Sequence, residues 1–135
     1  MEYKDILDKA FAAMDNAYVP YSHYKVGACV KTVDGEYIIG ANVENAAYSP
    51  TMCGERNAIF QAYAQGYRKA DIESIAIVTS GKRIGTPCGV CRQVLVELIN
   101  QDTPIVMSNG VDTRITNIEA LLPDSFNEED LVNEL

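Results

Sequence analysis

SIAIVT, at residues 74–79, is a nearly continuous apolar run in a chain of 135 residues. A strand with one face in water alternates apolar and polar residues, whereas a strand buried on both faces is apolar throughout. Such a strand needs a packed layer on each side of its sheet, and helices usually supply these layers. The run therefore predicts an α/β protein with this strand near the centre of the sheet.

Helical and extended patterns precede and follow this strand. On its N-terminal side we predict a helix, two strands joined by a turn at Asp34-Gly35, and a second helix, over residues 4–17, 24–32, 36–43 and 53–65. On its C-terminal side we predict a helix, two short strands and a brief helix, over residues 88–100, 104–107, 113–115 and up to 121–123. In the second helix, Ile59, Phe60 and Tyr63 are expected to face inward. This order predicts a single domain over residues 1–135, folded as a three-layer α/β/α sandwich around one five-stranded mixed sheet.

The charge and hydropathy of the chain exclude some partners. There are 19 acidic residues against 11 basic ones, and the net charge of −8 would repel a nucleic acid polymer. No apolar run approaches the ~20 residues of a membrane span, and the start, MEYKDILDKAF, carries acids where a signal peptide is basic and then apolar. We therefore expect a soluble cytoplasmic protein with no membrane or nucleic acid partner. In that reducing compartment, closely spaced cysteines suggest metal binding or catalysis before a structural disulfide.

Two of the four cysteines lie close together in PCGVCRQ, residues 87–93. If a helix begins at Pro87, Cys88 and Cys91 share its first turn and one side, so a single ion could bind both thiolates. The same C-x-x-C at a helix start also suits a thioredoxin-like redox pair. This motif alone supports zinc binding and redox chemistry equally.

Cys53, at the start of the second predicted helix, supplies a third thiolate. Three thiolates without a fourth protein ligand are typical of a catalytic zinc site, where water takes the remaining tetrahedral position. Neither Cys29, in the apolar strand segment VGACV, nor His23, in a loop, is expected to be a fourth ligand. The sequence therefore predicts one zinc ion per chain, bound by Cys53, Cys88 and Cys91.

Glu55 is the predicted general acid and base, because it follows closely after Cys53 and a carboxylate beside such a site can accept and deliver protons. Arg56 and Arg92 directly follow the ligand motifs. Three thiolates and a divalent cation leave a net negative charge, which would weaken zinc as a Lewis acid. We expect both arginines to donate hydrogen bonds to the thiolates, and the two helix N-termini to offset the same charge.

Five segments of the chain, in this order and spacing, resemble the short-chain cytidine deaminases. They are PYSHYKVGA (20–28), NVENAAYS (42–49), CGERNA (53–58), PCGVCRQV (87–94) and LLPDSF (121–126). The core of the resemblance is C-G-E followed by P-C-x-x-C, which is the zinc deaminase signature with cysteine in place of histidine. The resemblance covers essentially the whole chain and implies the zinc ligands and the proton shuttle assigned above.

Further residue roles are implied by this resemblance. Asn42 and Glu44 match the residues that hold the ribose hydroxyls, and Tyr24 matches a phenylalanine that packs against the base. Gly54 replaces the usual alanine between ligand and acid, at a position whose N–H is expected to help hold the base. Phe126 matches an aromatic residue that extends over a neighbouring subunit's site, which implies a homotetramer with active sites at subunit interfaces.

The resemblance also implies a reaction. We expect zinc-dependent hydrolysis of cytidine and deoxycytidine to uridine and deoxyuridine with release of ammonia, in pyrimidine salvage. A nearer alternative is a blasticidin-S-type deaminase on the same scaffold, against which the loop at 42–45 and Arg56 argue. A more distant alternative is a non-enzymatic zinc-binding or thiol-redox module, which would deaminate no pyrimidine.

Overall fold

Five strands form one mixed sheet in the computed structural model, which describes residues 2–132 of the chain. The strands are β1 (Val26–Thr32), β2 (Tyr37–Ala41), β3 (Ile72–Thr79), β4 (Ile105–Ser108) and β5 (Thr113–Thr116). Across the sheet they lie in the order β2-β1-β3-β4-β5. β3 is parallel to β4 and antiparallel to β1, and both outer pairs are antiparallel. The strand predicted at residues 74–79 is therefore the central strand of the sheet.

Helices cover both faces of this sheet. α1 (Lys4–Met14) lies on one face, and α2 (Gly54–Ala64) and α3 (Gly89–Leu98) lie on the other. α4 (Ile118–Leu121) and α5 (Glu128–Val132) follow the last strand, and a short 3-10 helix, Lys69–Asp71, precedes β3. This arrangement confirms the predicted three-layer α/β/α sandwich. Within residues 2–132, no helix has both the length and the apolar character needed to cross a membrane.

The alternation of side chains along β3 explains its continuous apolar run. Ile75 and Ile77 pack in a core cluster with α2 and α3, whereas Ala76 and Val78 pack in a second cluster with α1. All four side chains are at most 1% exposed. Burial of one large aliphatic side chain contributes ~1.5–3 kcal/mol, so this strand stabilises both helical layers.

Two glycines let the helices approach the sheet closely. A Cβ on Gly27 of β1 would lie 2.7 Å from the Met14 nitrogen of α1, and a Cβ on Gly40 of β2 would lie 2.5 Å from the Ala58 nitrogen of α2. Both distances are shorter than van der Waals contact, so a side chain at either position would push its helix away. Gly40 thereby sets the position of α2, whose start carries the predicted ligand Cys53.

The predicted elements are all present, but several are shorter than predicted. β1 begins at Val26 rather than at residue 24, and β2 ends at Ala41 rather than at residue 43. The residues left outside these strands form loops at one edge of the sheet, where the Asn42 side chain bonds to the backbone of the loop before β1. Similarly, α1 ends at Met14 rather than at residue 17.

One residue predicted to face inward does not. Phe60 is 42% exposed, whereas Ile59 is fully buried and Tyr63 packs against the core. The buried side of α2 runs through Ala58, Ile59 and Ala62. Because each residue turns the helix by about 100°, the position after Ile59 points to the surface.

Candidate metal centre

Three cysteine sulfurs converge at one edge of the sheet. Cys53 is the N-cap of α2, Cys88 is the N-cap of α3, and Cys91 lies in the first turn of α3. The Sγ atoms of Cys53 and Cys88 are 3.8 Å apart, and those of Cys88 and Cys91 are 3.5 Å apart. All three sulfurs lie within 4.8 Å of one another. The structure thus brings together the three predicted metal ligands.

The spacing of these sulfurs fits a zinc ion. Tetrahedral coordination with Zn–S bonds of ~2.3 Å holds two sulfurs ~3.8 Å apart, close to the observed separations. A disulfide would need sulfurs ~2.05 Å apart, so the cluster does not have the form of an oxidised pair. Cysteine thiolates are also among the usual ligands of zinc in proteins.

Sheet topology explains why both ligand helices start at this edge. β1 is antiparallel to both β2 and β3, so β2 and β3 run in the same direction and end at the same edge. α2 follows β2, α3 follows β3, and both helices pack on the same face. In α/β folds such an edge, at the carboxyl ends of strands, is where ligands bind. Cys29 packs instead on the α1 face, where burial raises the pKa of its thiol to about 12.

The sulfurs of Cys53 and Cys91 strongly influence each other's protonation. The pKa of Cys53 is lowered to about 5, first by a hydrogen bond from Cys91 and then by Arg56. The pKa of Cys91 is raised, first by that same bond to Cys53 and then by burial. Several thiolates at this spacing therefore repel one another unless a cation lies between them. A divalent metal ion removes that cost, which is a second reason that the site fits zinc.

Hydrogen-bond donors lie next to the sulfurs on both helices. The Cys91 N–H, in the first turn of α3, donates to Cys88 Sγ at 3.5 Å. Arg56 Nη2 donates to Cys53 Sγ at 3.3 Å. The Nε of Arg56 is also buried, and within residues 2–132 it has no hydrogen-bond partner. Arg56 therefore stabilises thiolate at Cys53, the role that the sequence predicted for it.

Arg92 differs from the prediction that it would donate to the thiolates. Its Nε donates to the Pro87 carbonyl at 2.8 Å, its Nη1 to the Leu121 carbonyl at 2.7 Å and its Nη2 to Thr86 Oγ1 at 3.1 Å. All three nitrogens therefore donate to oxygen acceptors. Although Arg92 follows Cys91 in sequence, successive helical residues point about 100° apart, so its guanidinium lies away from the sulfurs.

Glu55 is the buried acid of this site. It lies in the first turn of α2, close after Cys53, and is 5% exposed. The pKa of Glu55 is raised to about 7, mainly by burial and then by the neighbouring Cys53, while hydrogen bonds from its backbone N–H and from Cys91 and the charge of Arg56 oppose the shift. A carboxyl group with this pKa can hold and release a proton near neutral pH.

Asn42 bridges the loops at the ends of β1 and β2. Its Nδ2 donates to the Tyr24 carbonyl at 2.9 Å, and its Oδ1 accepts from the Val26 N–H at 2.9 Å. Asn42 is 8% exposed, so these bonds satisfy a nearly buried amide. Each amide atom can still make one further hydrogen bond. Asn42 therefore shapes the loop and retains the capacity to contact a ligand.

Glu44 is held in place from the loop before β1. One carboxylate oxygen accepts from the N–H groups of Tyr21 and Ser22, both at 3.1 Å, and the other bonds to the Ser22 hydroxyl. The bond from the Ser22 hydroxyl lowers the pKa of Glu44, so the group stays ionised. Glu44 borders a cavity of about 280 Å³ that is lined by Tyr21, Ser22, Glu44, Asn45, Tyr48 and Thr51. An oriented carboxylate at a cavity suits a ligand that carries hydroxyl groups.

Tyr24 packs against the loop that follows β3. A Cβ on Gly81 would lie 3.0 Å from Tyr24 Cε1, and a Cβ on Gly85 would overlap the Tyr24 hydroxyl and lie 2.6 Å from Thr79 Cγ2. The two glycines thus make room for the ring and its hydroxyl. Tyr24 remains 39% exposed and lines, with residues 81–85, a second cavity of about 370 Å³.

Gly54 and Phe126 occupy very different surroundings. Gly54 is the buried first residue of α2, and a Cβ there would lie 3.1 Å from both the carbonyl oxygen and Cγ1 of Val26. Phe126 lies between α4 and α5, is 59% exposed, and accepts a hydrogen bond from Gln93 through its carbonyl. His23, which the sequence does not predict as a metal ligand, is exposed and has a left-handed φ of 58°.

Two residues that hold predicted site residues in place, Ser22 and Gln93, were not predicted from the sequence. Ser22 orients Glu44 across 22 positions, and Gln93 holds Phe126 across 33 positions. Contacts at such separations follow no local pattern. The one available signal is that Ser22 and Gln93 lie inside the segments PYSHYKVGA and PCGVCRQV, which the site residues also occupy.

Comparison with known proteins identifies the family. Residues 1–107 match the family model described as the cytidine and deoxycytidylate deaminase zinc-binding region. A protein named cytidine deaminase from Halalkalibacterium halodurans is 43% identical over 132 residues, which cover 97% of this chain and 98% of the relative. One from Sporosarcina psychrophila is 39% identical, with 97% and 96% of the two chains covered.

Solved structures agree with this assignment. The crystal structure of cytidine deaminase from Burkholderia pseudomallei matches with a TM-score of 0.89 at 42% identity, covering 93% of this chain and 100% of that chain. The structure of cytidine deaminase from Mycobacterium tuberculosis matches with a TM-score of 0.78 at 33% identity, covering 93% and 98%. The match over residues 1–107, the identities over nearly the whole chain and the shared architecture place this protein in the zinc-binding cytidine and deoxycytidylate deaminase family.

Proposed function

We propose that this protein deaminates cytidine and deoxycytidine by zinc-dependent hydrolysis, giving uridine or deoxyuridine and ammonia. The observation that carries the proposal is the convergence of three thiols within 4.8 Å beside a glutamate that is 5% exposed. Relatives at 43% and 39% identity are named cytidine deaminases, which supports the choice of substrate. Those names do not favour a blasticidin-S-type deaminase, and a redox pair would not need a third thiol.

Cys53, Cys88 and Cys91 would hold the zinc ion. When bound, zinc lowers the pKa of a water molecule and so supplies a nucleophile near neutral pH. The chain offsets the charge of the thiolates in two ways. Two ligands are N-caps of helices, and Arg56 donates to the Cys53 sulfur.

Glu55 carries the protons in this proposal. It accepts a proton from the attacking water and donates that proton to N3 of the cytosine ring, which makes C4 electrophilic. Once the water oxygen has bonded to C4, Glu55 takes the second proton and delivers it to the amino group, which leaves as ammonia. One water molecule is consumed, and the C4–N bond is replaced by a C4–O bond.

Five further residues are proposed to bind the nucleoside. Glu44 and Asn42 would hold the ribose hydroxyls, the former as an oriented carboxylate and the latter through its remaining amide capacity. Tyr24 would pack against the base, and the backbone N–H of Gly54 would donate to it. Phe126 of an adjacent subunit would cover the site.

We also propose a homotetramer with active sites at subunit interfaces. Phe126 and Tyr48 are 59% and 78% exposed, and large aromatic surfaces left in water are typical of interaction sites. Light scattering on a sizing column should give four times the chain mass of 14.8 kDa. A monomeric enzyme with full activity would contradict this part of the proposal.

The physiological part of the proposal is pyrimidine salvage in the cytoplasm, and it rests on the family resemblance. A pyrimidine-requiring strain that lacks its own deaminase should grow on cytidine when it expresses this protein. No growth with an active, expressed enzyme would count against this role.

The direct test of substrate is ammonia release from cytidine, deoxycytidine and blasticidin S, measured beside zinc per chain. We expect one zinc per chain and release from both nucleosides. A zinc-loaded protein that acts on blasticidin S and not on cytidine would overturn the substrate assignment. A metal-free protein with a reversible Cys88–Cys91 disulfide would overturn the reaction as well.

A further inference from the structure

Two side chains near the start of α3 attach it to the C-terminal part of the chain. Arg92 Nη1 donates to the Leu121 carbonyl at 2.7 Å, and Gln93 Nε2 donates to the Phe126 carbonyl at 2.7 Å. Leu121 is the last residue of α4 and is 8% exposed, whereas Phe126 is 59% exposed. The segment 121–126 is therefore fixed to α3 at both of its ends.

Arg92 also fixes the loop that leads to the metal ligand Cys88. Its Nε donates to the Pro87 carbonyl at 2.8 Å, and its Nη2 donates to Thr86 Oγ1 at 3.1 Å. Guanidinium is planar and its donors have fixed directions, so these bonds and the bond to Leu121 hold their acceptors in one arrangement. Because Pro87 precedes Cys88 directly, one side chain positions both the backbone at a ligand and the end of α4.

The conformation of the chain between Leu121 and Phe126 depends on these two hydrogen bonds. Pro123 has no N–H to donate, and Asp124 has a left-handed φ of 52°. A left-handed conformation at a residue other than glycine costs free energy and persists where the surrounding structure holds it. Loss of the anchors would therefore let this turn relax and the Phe126 ring move.

We propose that Arg92 and Gln93 are positioning residues that link the ligand turn at Cys88 to the placement of Phe126. Gln93 acts on Phe126 alone, whereas Arg92 acts on both the ligand turn and the segment 121–126. The importance of Phe126 for the nucleoside rests on the proposed function. The physical link between α3 and this segment can be tested without any substrate.

The test uses the zinc-loaded full chain with Phe126→Trp as a probe. The chain contains no tryptophan, so the introduced indole is the only such emitter. Its fluorescence anisotropy and emission maximum report how firmly the segment is held. The rate at which zinc passes to a chromophoric chelator reports the ligand turn.

Gln93→Glu replaces the donor by an acceptor of the same shape, so the anisotropy should fall and the emission should shift to longer wavelength. Zinc transfer should stay within about twofold of the parent rate, because the single neutral hydrogen bond that is lost runs to the Phe126 carbonyl and involves neither a ligand nor the loop before Cys88. Arg92→Met should lower the anisotropy and speed zinc transfer by about tenfold, the lower end of the effect of removing a group that supports metal ligands. The matched control is Gln65→Glu, an exposed glutamine at the C-cap of α2, which should change neither reading.

With Phe126 retained, Gln93→Glu should raise KM for cytidine by about fivefold and leave kcat within about twofold. An unchanged anisotropy in Gln93→Glu would overturn the proposal. An unchanged zinc transfer rate in Arg92→Lys and Arg92→Met would also overturn it. The lysine variant keeps the positive charge but loses the several directed donors of the guanidinium. It replaces the methionine variant if that variant does not fold. If no variant turns over cytidine, the proposed function fails while anisotropy and zinc transfer still decide this link.

Discussion

The metal half and the nucleoside half of the site are built in different ways. The metal half consists of the three clustered cysteines, Cys53, Cys88 and Cys91, with the proposed proton carrier Glu55, and the nucleoside half of the residues proposed to bind substrate, Tyr24, Asn42, Glu44 and Phe126. The metal half lies at two helix starts on one face of the sheet, with Cys91 fully buried and Glu55 5% exposed. The nucleoside half lies on loops, with Tyr24 39% and Phe126 59% exposed.

A single chain therefore brings the proposed metal ligands together, whereas it leaves two of the proposed nucleoside-binding residues, Tyr24 and Phe126, exposed. Helix starts are fixed by the packing of whole helices, so the thiols meet without help from a ligand. Loop residues are fixed by a few hydrogen bonds, and the rings of Tyr24 and Phe126 are left partly exposed; in the proposed tetramer, a nucleoside and another subunit would cover them. Changes in the metal half should therefore remove the metal or the chemistry, whereas changes in the nucleoside half should raise KM and leave zinc in place.

The largest effect on zinc binding is expected from Cys91→Ala. Removal of a ligand should lower zinc affinity by more than about 100-fold, since loss of a group that merely supports a ligand costs about 10–100-fold. Metal analysis after dialysis and ammonia release from cytidine check this. The control is Cys29→Ala, which removes a thiol from the opposite face and should keep zinc. Equal zinc content in Cys91→Ala and Cys29→Ala would contradict the assignment of Cys91, and not Cys29, as a zinc ligand.

Glu44→Gln should raise KM for cytidine by about tenfold or more, because hydrogen bonds to a charged group are worth ~1.5–3 kcal/mol. Zinc per chain should not change. The control is Glu36→Gln, which neutralises an exposed glutamate in the β1–β2 turn. Loss of zinc in Glu44→Gln would mean that the two halves are not independent.

A smaller effect is expected from Gly85→Ala, which would force the Tyr24 hydroxyl aside. Overpacking of this kind typically costs ~1–3 kcal/mol, so the unfolding midpoint should fall and KM should rise. Tyr24→Phe in the same chain removes the overlapping hydroxyl and should recover part of the KM; the overlap with Thr79 Cγ2 would remain. Failure of the double variant to recover any KM would show that Gly85 does not act through Tyr24.

The smallest effect is expected from Gly54→Ala. A methyl group at this position would lie 3.1 Å from two atoms of Val26, slightly inside normal contact. Alanine is favoured over glycine in helices by roughly 0.5–1 kcal/mol, which offsets the crowding. Thermal unfolding should shift by only a few degrees and zinc should be retained. A collapse of stability would show that the space beside Val26 requires glycine.

The architecture could be predicted from the sequence because its signals are local. The apolar run in β3, the turn at Asp34-Gly35 and the helical spacing of apolar residues each arise from neighbouring positions. The two halves of the C-x-x-C motif lie in one helical turn, and Cys53 begins another helix at the same edge. The three cysteines could be grouped because each lies at a predicted helix start and together they make the donor set of a catalytic zinc site.

Side-chain partners across the chain could not be predicted in the same way. Arg92 follows a ligand in sequence, yet helical rotation turns it toward Leu121, whose carbonyl is 29 positions away. Phe60 belongs to an amphipathic pattern, yet Ala58 and Ala62 already fill the inner side of α2. The partners of Arg92 and the exposure of Phe60 both depend on which groups the tertiary fold places next to them. The spacing of residues in the sequence does not contain that information.

Glu55→Gln tests the central claim most directly, because it keeps the shape of the side chain and removes its capacity to carry a proton. Zinc per chain and ammonia release from cytidine are measured on the same preparation, with Glu97→Gln on the exposed side of α3 as control. We predict that zinc stays at one per chain in both variants, and that turnover falls by about 100-fold to 10,000-fold in Glu55→Gln alone. Retained zinc with wild-type turnover in Glu55→Gln would contradict the account.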